Sequence, residues 1–360
     1  MMIRLNRHPN LMLIATLVAV VMLSACSKSN TSGQQGHDNS KEAQYERIIT
    51  EALDEDPGKI LPLVDSLQSH HIIPEYKATY YRAQASYKLG QELTAELYYK
   101  KALSGKELFD ERPALYYYAC DQLSTILTCK GEQHGSIDIA TQGYALVKDD
   151  QSEDGVQWGA VLLHDIGYCQ MRLDRTQEAE KNFHKAYDTL RQLALRDSTY
   201  DHMNSWARVA YNILDAYTSM GHYEQGAKWI PYAEEAINFM ASHKECPPKV
   251  AGEYIGSLNT HKATIYVKTG MKREAEAAYQ RFLQTDYAHT SFGIIDHSEY
   301  LIEAERWHER AKLSPVLDSI AKAWNMPLSM YYLCAYLAPS FTAYQKSGQH
   351  DQALKIAQEI

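Results

Sequence analysis

Ile166-Gly167-Tyr168-Cys169-Gln170-Met171-Arg172-Leu173-Asp174-Arg175-Thr176-Gln177-Glu178-Ala179-Glu180-Lys181-Asn182-Phe183-His184-Lys185-Ala186 is the stretch that decides the fold. Gly167 is followed by Ala179 twelve residues later, Phe183 sixteen later and Ala186 nineteen later. Apolar residues at spacings of three and four mark one face of a helix. Leu173-Asp174-Arg175 interrupts that spacing, so the stretch reads as helix, tight turn, helix. Small residues stand where the two helices must touch, and an aromatic fills the gap beside them.

The same phase returns along the chain when counted from the turn residue. After Gly90 come Ala95, Tyr99 and Ala102, at offsets of five, nine and twelve. The equivalent sets are Ser136, Ala140 and Gly143 after Gly131, and Ala179, Phe183 and Ala186 after Asp174. Gly226, Ile230 and Ala233 follow Gly221, Ala275, Tyr279 and Phe282 follow Gly270, and Ala353, Ala357 and Ile360 follow Gly348. A weaker copy is read after Arg306, with Ala311, Pro315 and Asp318. An earlier one falls at Ile60, Val64 and Leu67, without a turn glycine. Glycine suits the left-handed backbone that ends a helix.

These residues resemble a tetratricopeptide repeat. The resemblance implies an all-α fold, an α-solenoid of stacked helix-turn-helix pairs, here about seven to eight repeats over residues 43–360. The turn residues lie mostly forty-odd positions apart. That exceeds the roughly 34 of the usual motif, so helices or loops are longer here. An irregular helical bundle is the competing reading, and six ordered copies of one phase disfavour it. Pro247 and Pro248 mark a long connection over residues 241–249, and Pro231 is expected to kink a helix. No alternating β-branched run is long enough for a sheet.

The N-terminus carries a second signal. Arg4 and Arg7 precede the apolar run Leu11–Leu23, which Leu23-Ser24-Ala25-Cys26 closes. A basic start, a short apolar core and small residues before a cleavage point form a secretory signal. The run is short of the roughly twenty residues a membrane span needs. Leu-Ser-Ala-Cys resembles a bacterial lipobox, which implies cleavage after Ala25 and lipid on Cys26. An uncleaved anchor is the alternative. Residues 26–42, rich in Ser, Asn, Gln and Gly, are expected to be a flexible tether reaching on the order of 20 Å. The expected location is a membrane facing the periplasm. Ser27 is not the aspartate that retains such proteins in the inner membrane, which favours the outer one.

Composition fits an exported domain. Removing residues 1–25 removes two of the 36 basic residues and no acid, leaving 34 against 45. Such an acidic chain is a poor nucleic-acid binder. Beyond Cys26 stand Cys120, Cys129, Cys169, Cys246 and Cys334, an odd number without tight spacing, so no disulfide framework is expected. Cys120, Cys129 and Cys169 read as buried small hydrophobes, and a Cys120–Cys169 bridge is the less favoured alternative.

No catalytic pattern emerges. The 15 histidines include no His-Glu-x-x-His pair, there is no Cys-x-x-Cys, P-loop or Gly-x-Ser-x-Gly elbow, and neither metal nor cofactor is predicted. His70 and His71 are adjacent and cannot share one helix face. Asp165 follows His164 directly and is expected to point away from it. Asp54-Glu55-Asp56 reads as a solvated helix end.

Binding is the remaining role. The chain has 27 tyrosines against six phenylalanines. Tyr99 and Tyr279 occupy the packing phase and belong to the core. Offsets of −3, +1 and +4 from the close-contact residues Ala83, Ser124, Gly167, Leu214 and Ala263 define one face of each first helix. That face carries Tyr80, Gln84 and Tyr87, then Asp121, Thr125 and Thr128, then His164, Tyr168 and Met171. Tyr211, Asp215 and Thr218 follow, then Thr260, Thr264 and Val267. In tetratricopeptide repeats it lines a groove, so the candidate ligand residues are Tyr80, Gln84, Tyr87, Asp121, Thr125, His164, Tyr168, Met171, Tyr211, Asp215, Thr260 and Thr264. The expected occupant is an extended peptide or protein segment from the envelope, with gap-filling between helices as the competing role for each residue.

The chain ends inside the helix begun at Asp351, without a polar cap, which implies a continuation beyond Ile360. Tyr116–Leu127, Ala160–Gln170 and Glu178–Phe183 resemble the N-terminal part of repeat-containing sensor histidine kinases of Bacteroidetes-type bacteria. That resemblance covers residues 43–360. It implies an extracytoplasmic sensory input followed by a membrane helix, a coiled coil and a kinase, none of which lies in this chain. The lipobox departs from that plan and keeps a stand-alone lipid-anchored scaffold as the alternative.

Overall fold

A computed structural model of the chain describes residues 39–323 and 332–359, with no side chains described for 39–43, 54–55, 334–335 and 359. The signal-like segment, Cys26, most of the tether and Ile360 lie outside the described residues.

The described residues form helices joined by turns and short connections, with no strand among them. In chain order the helices are α1 (Asn39–Glu55), α2 (Ile60–Ser69), α3 (Glu75–Lys88), α4 (Glu92–Ser104), the short α5 (Glu107–Glu111), α6 (Pro113–Cys129), α7 (Gln133–Val147), α8 (Glu153–Arg172) and α9 (Thr176–Asp197). Next come α10 (Tyr200–Ser219), α11 (Tyr223–Ala241), α12 (Pro248–Lys268), α13 (Lys272–Leu283), α14 (Ser291–Glu303), α15 (Trp307–Ala323), α16 (Ala338–Lys346) and α17 (His350–Glu359). Two compact units divide at Ser205 and Trp206.

The turns explain why the pairs recur. Gly90, Gly131, Gly221, Gly270 and Gly348 all have φ between 70° and 83°, where a Cβ is disfavoured. Asp174 adopts the same region at φ 61°, as short polar residues tolerate. In each case the following amide reaches back across the helix end to the carbonyl five residues earlier. Examples are Gln91 to Ser86 at 2.8 Å, Arg175 to Gln170 at 2.8 Å and Met271 to Tyr266 at 2.8 Å. This bond closes the helix end and reverses the chain.

The weak copy needs a one-residue correction. Glu305, not Arg306, is left-handed at φ 56°, and the closing bond runs from Arg306 to Leu301 at 2.8 Å. Offsets of five, nine and twelve from Glu305 give Arg310, Ser314 and Leu317, all buried, whereas Pro315 is exposed and Asp318 only half-buried. The shift was hidden because Arg310 occupies the place of a small residue. In the last copy Ala353 is buried and Ala357 exposed, and Ile356 packs against the Ala311, Ala343 and Tyr344 cluster instead. The earliest copy holds: Ile60, Val64 and Leu67 are all buried.

In the unit ending at Ser205, α3 packs on α4, α6 on α7 and α8 on α9. An added Cβ on Gly167 would stand 2.9 Å from the Phe183 ring and 3.3 Å from the Ala179 carbonyl oxygen, so a hydrogen there lets α8 and α9 touch. Replacing Ala179 by leucine should overpack this contact at a cost of about 1–3 kcal/mol, against about 0.5 kcal/mol or less for Lys181→Glu. Thermal melts of both variants decide it, and equal shifts would show that α8 and α9 do not meet here.

In the unit beginning at Trp206, the Trp206 ring is fully buried and edge-on to Phe239, 5.8 Å between centroids. α12 packs on α11, α13 and α14. The core between them is Ala263, Ala278, Tyr279, Phe282, Tyr287 and Leu301. α11 continues through Pro231, which is exposed. Residues 242–247 connect α11 to α12 outside any helix, shorter than the expected 241–249, because Pro248 opens α12 instead of stopping a helix.

Candidate functional site

The first-helix face is buried over most of its length. Tyr80, Gln84, Asp121, His164, Tyr168, Met171, Asp215, Thr260 and Thr264 are buried, and Tyr87, Thr125 and Tyr211 are half-buried. Neighbouring helices close over these side chains, so the residues form polar seams within each unit and not an open trough.

In the unit ending at Ser205, α3 and α6 bring Tyr80 and Tyr118 together edge-on at 6.4 Å, and Tyr118 continues to Trp158 of α8 at 5.9 Å. Gln84 Nε2 donates to Tyr80 Oη at 2.9 Å, and Gln122 Nε2 donates to Asp121 Oδ2 at 2.8 Å. Burial and the neighbouring Cys129, Tyr118 and Asp121 hold the Tyr87 phenol well above its usual range. His164 stacks on Phe183 at 6.0 Å between centroids. Contrary to expectation, Asp165 does not point away: its Oδ1 lies 3.0 Å from His164 Nδ1. Consecutive side chains diverge by about 100° on a helix, but a short carboxylate can fold back to its neighbour's ring.

Among the described residues Cys120, Cys129, Cys169 and Cys246 form no disulfide. Cys120 and Cys169 are free, and no bridge joins them. Cys169 Sγ lies 3.1 Å from both Ser136 Oγ and Thr128 Oγ1. Burial pushes the Cys120 and Cys129 thiols up to about 12, which makes them unreactive near neutrality.

The unit beginning at Trp206 holds the denser constellation. His261 Nε2 lies 3.2 Å from Tyr211 Oη, and Tyr211 Oη lies 2.8 Å from Ser257 Oγ. Ser257 Oγ donates to Asp296 Oδ2 at 2.7 Å. Tyr287 Oη donates to the same oxygen at 2.9 Å, and Thr260 Oγ1 approaches it at 3.4 Å. With Ser257 donating to Asp296, Tyr211 donates to Ser257 and His261 presents Nε2–H to Tyr211, so the donors converge on one carboxylate oxygen. Burial pushes Asp296 up to about 6 and Asp215 up to about 7, the latter helped by the charge of Asp296. Burial also depresses His261 to about 4, so its ring is neutral at pH 7.

Of the predicted residues, Tyr211, Asp215 and Thr260 join this constellation, while Thr264, one turn on, is buried outside it. Ser257, His261, Tyr287 and Asp296 were missed. Ser257 lies one turn before Thr260 on the same face, so extending the register would have found it. Asp296 stands two residues before the contact residue Ser298, as His261 stands before Ala263. Only the corrected turn at Glu305 reveals this equivalence. Tyr287 sits in the 3₁₀ turn Asp286–His289, a connection outside the repeat phase. Among the described residues no group of three or more His, Cys, Asp or Glu is arranged to hold a metal ion.

Helix pairs closed by a left-handed turn, with small residues at the contact, define an all-α repeat protein of the tetratricopeptide type. Solved structures agree on this fold. A Rap protein complexed with competence and sporulation factor is similar at 15% identity and TM-score 0.55, over 96% of this chain and 93% of that one. Aspartyl phosphate phosphatase F from Bacillus subtilis is similar at 16% identity and TM-score 0.54, over 97% of this chain and 90% of that one. No protein-family model and no curated protein sequence matches the chain.

Proposed function

We propose that this chain is an extracytoplasmic repeat module that binds a peptide or protein segment and serves as the sensory input of a membrane-bound sensor histidine kinase. The observation that carries the binding role is the hydroxyl and carboxylate seam of Tyr211, Ser257, Asp296 and Tyr287, reached from solvent through the half-buried Tyr211 and Asp296. The fold adds support, because a structure of the same fold was solved complexed with competence and sporulation factor. Tyrosines supply contact area at low entropic cost, and the inward carboxylates favour a ligand with donors. No reaction is assigned to this chain.

A small change in the packing of one helix pair passes to its neighbours in a repeat array, which would carry occupancy toward a following domain. The test is capture from an envelope extract with the wild-type chain and with Tyr168→Ala plus Tyr211→Ala, both first shown to melt alike. A partner that binds only the wild type is expected. Identical partners on both would remove the first-helix face from consideration.

A stand-alone lipid-anchored scaffold is favoured by one observation, Leu23-Ser24-Ala25-Cys26 after the apolar run. Cys26→Ala should then release the protein from membranes or leave it unprocessed. An unprocessed wild-type mass with unchanged membrane extraction removes that reading.

A further inference from the structure

Two carboxylates stand at the ends of one chain of contacts in the unit beginning at Trp206, from Asp215 through His261, Tyr211 and Ser257 to Asp296, and they are treated unequally. Asp296 Oδ2 collects donors from Ser257 at 2.7 Å and Tyr287 at 2.9 Å. Asp215 is only 2% exposed, yet no hydrogen-bond donor reaches its carboxylate among the described residues. His261 Nε2 stands 3.7 Å from Asp215 Oδ1, beyond hydrogen-bond range. A carboxylate this buried without a donor is costly unless a partner arrives.

Among the described residues no Lys or Arg is paired with Asp215 or Asp296, and His261, the one salt-bridge partner, is neutral at pH 7. The groups facing the two carboxylates are Tyr211 from α10, Tyr254 and His261 from α12, Tyr287 from the 3₁₀ turn and Asp296 from α14. Tyr254 lies edge-on to Tyr211 at 5.7 Å. Lys262, beside His261 in sequence, is paired with Glu234. Arg208, nearly two turns before Asp215 on α10, exerts its charge on Tyr254. Asp296 and Tyr211 are half-buried, so the chain of contacts meets solvent at these two residues. Asp296 Oδ1 receives no hydrogen bond among the described residues, which leaves an oxygen on each aspartate for an incoming donor.

We propose that Asp215 and Asp296 form a recognition site for the ammonium or guanidinium group of a basic side chain on a bound peptide. The inference rests on the peptide-binding reading and names the chemistry of its ligand. A guanidinium brings up to five donors and a full positive charge, which satisfies Asp215 and relieves the repulsion between the two carboxylates. Binding requires both in the ionised form, and burial holds them near 7 and 6, so affinity rises with pH across that range and protons leave as the cation enters.

The test uses the full chain and a short blocked peptide with one central arginine, its citrulline counterpart and spermidine, each titrated calorimetrically at about pH 8 and about pH 5.5. The arginine peptide is expected to bind at the higher pH and at least tenfold more weakly at the lower, and the citrulline peptide to bind at least tenfold more weakly throughout. Asp215→Asn and Asp296→Asn, with unchanged far-ultraviolet dichroism, should each abolish the difference between the two peptides. Equal binding of both peptides, or unchanged preference in the aspartate variants, overturns the site while leaving partner capture from envelope extract standing. Spermidine bound in place of the peptide, with the same dependence on the two aspartates, assigns a free amine and overturns the peptide as source. Should a variant fail to fold, the pH dependence of the wild type decides: affinity that does not rise with pH excludes the carboxylates.

Discussion

Replacing Gly293 with alanine is expected to destabilise the chain by about 3 kcal/mol, the upper end of what overpacking usually costs. Gly293 lies in the first turn of α14, where its amide donates to the Thr290 hydroxyl at 3.0 Å. A methyl group there would overlap the Tyr287 carbonyl oxygen, with the carbonyl carbon 2.6 Å and the Ala288 Cα 2.9 Å away. These are backbone atoms, so no side-chain rotation can relieve them, and the 3₁₀ turn Asp286–His289 must shift. Tyr287 moves with it, and the 2.9 Å bond to Asp296 is lost. Gly252→Ala is the contrast. Nothing lies within 4 Å of the place a Cβ would take on Gly252 in α12, so alanine should stabilise by about 0.5–1 kcal/mol through helix propensity. Denaturant titration of both variants checks the pair, and a neutral Gly293→Ala would show that the turn is not held against α14.

Asp215→Asn is expected to raise stability at about pH 8 by on the order of 3 kcal/mol and to change nothing near pH 4. Burial and the charge of Asp296 raise Asp215 from 3.8 to about 7, so the folded chain holds this proton more tightly than the unfolded chain does. Its contribution is therefore most favourable below the unfolded value and is lost as pH rises from about 4 to about 7. Asparagine keeps the shape and removes the ionisation. His261 and His297 carry the opposite sign. Burial lowers both from 6.5 to about 4, so the stability they contribute is lost as pH falls through that window. These slopes oppose the aspartate slope in the wild type, and the difference curve between wild type and variant isolates Asp215. A variant no more stable than wild type at alkaline pH would show that the carboxylate is solvated or already paired.

The repeat was legible because its determinants are local. A left-handed residue at the helix end, a small residue five positions on and apolar residues at nine and twelve form a pattern within one helix pair, and the sequence spells it at Gly90, Gly131, Asp174, Gly221, Gly270 and Gly348. The pair around Glu305 was misread by one position because its two local signals are replaced. Glutamate stands at the left-handed turn and Arg310 at the close contact. The Arg310 guanidinium is tolerated there by the Ser314 hydroxyl at 2.8 Å and the Ser340 hydroxyl at 3.3 Å, a solution that requires α16 to be in place.

The candidate site divides along the same line. Helical periodicity alone put Tyr211 and Asp215 on one face of α10 and Thr260 on the matching face of α12. Whether such a face is open or covered depends on the helices beside it, and no spacing within a helix encodes that. The chain of contacts from Asp215 to Asp296 joins residues 81 positions apart through the packing of α12 on α14. Tyr287 enters from a 3₁₀ turn whose place is set by the absent side chain of Gly293. The sequence by itself determined the helix pairs and the chemistry of the residues each presents, since both follow from local backbone preference and periodicity. Tertiary structure alone decided which of those residues are buried together, because desolvation and charge proximity, which set the protonation of Asp215, Asp296 and His261, exist only once distant helices have packed.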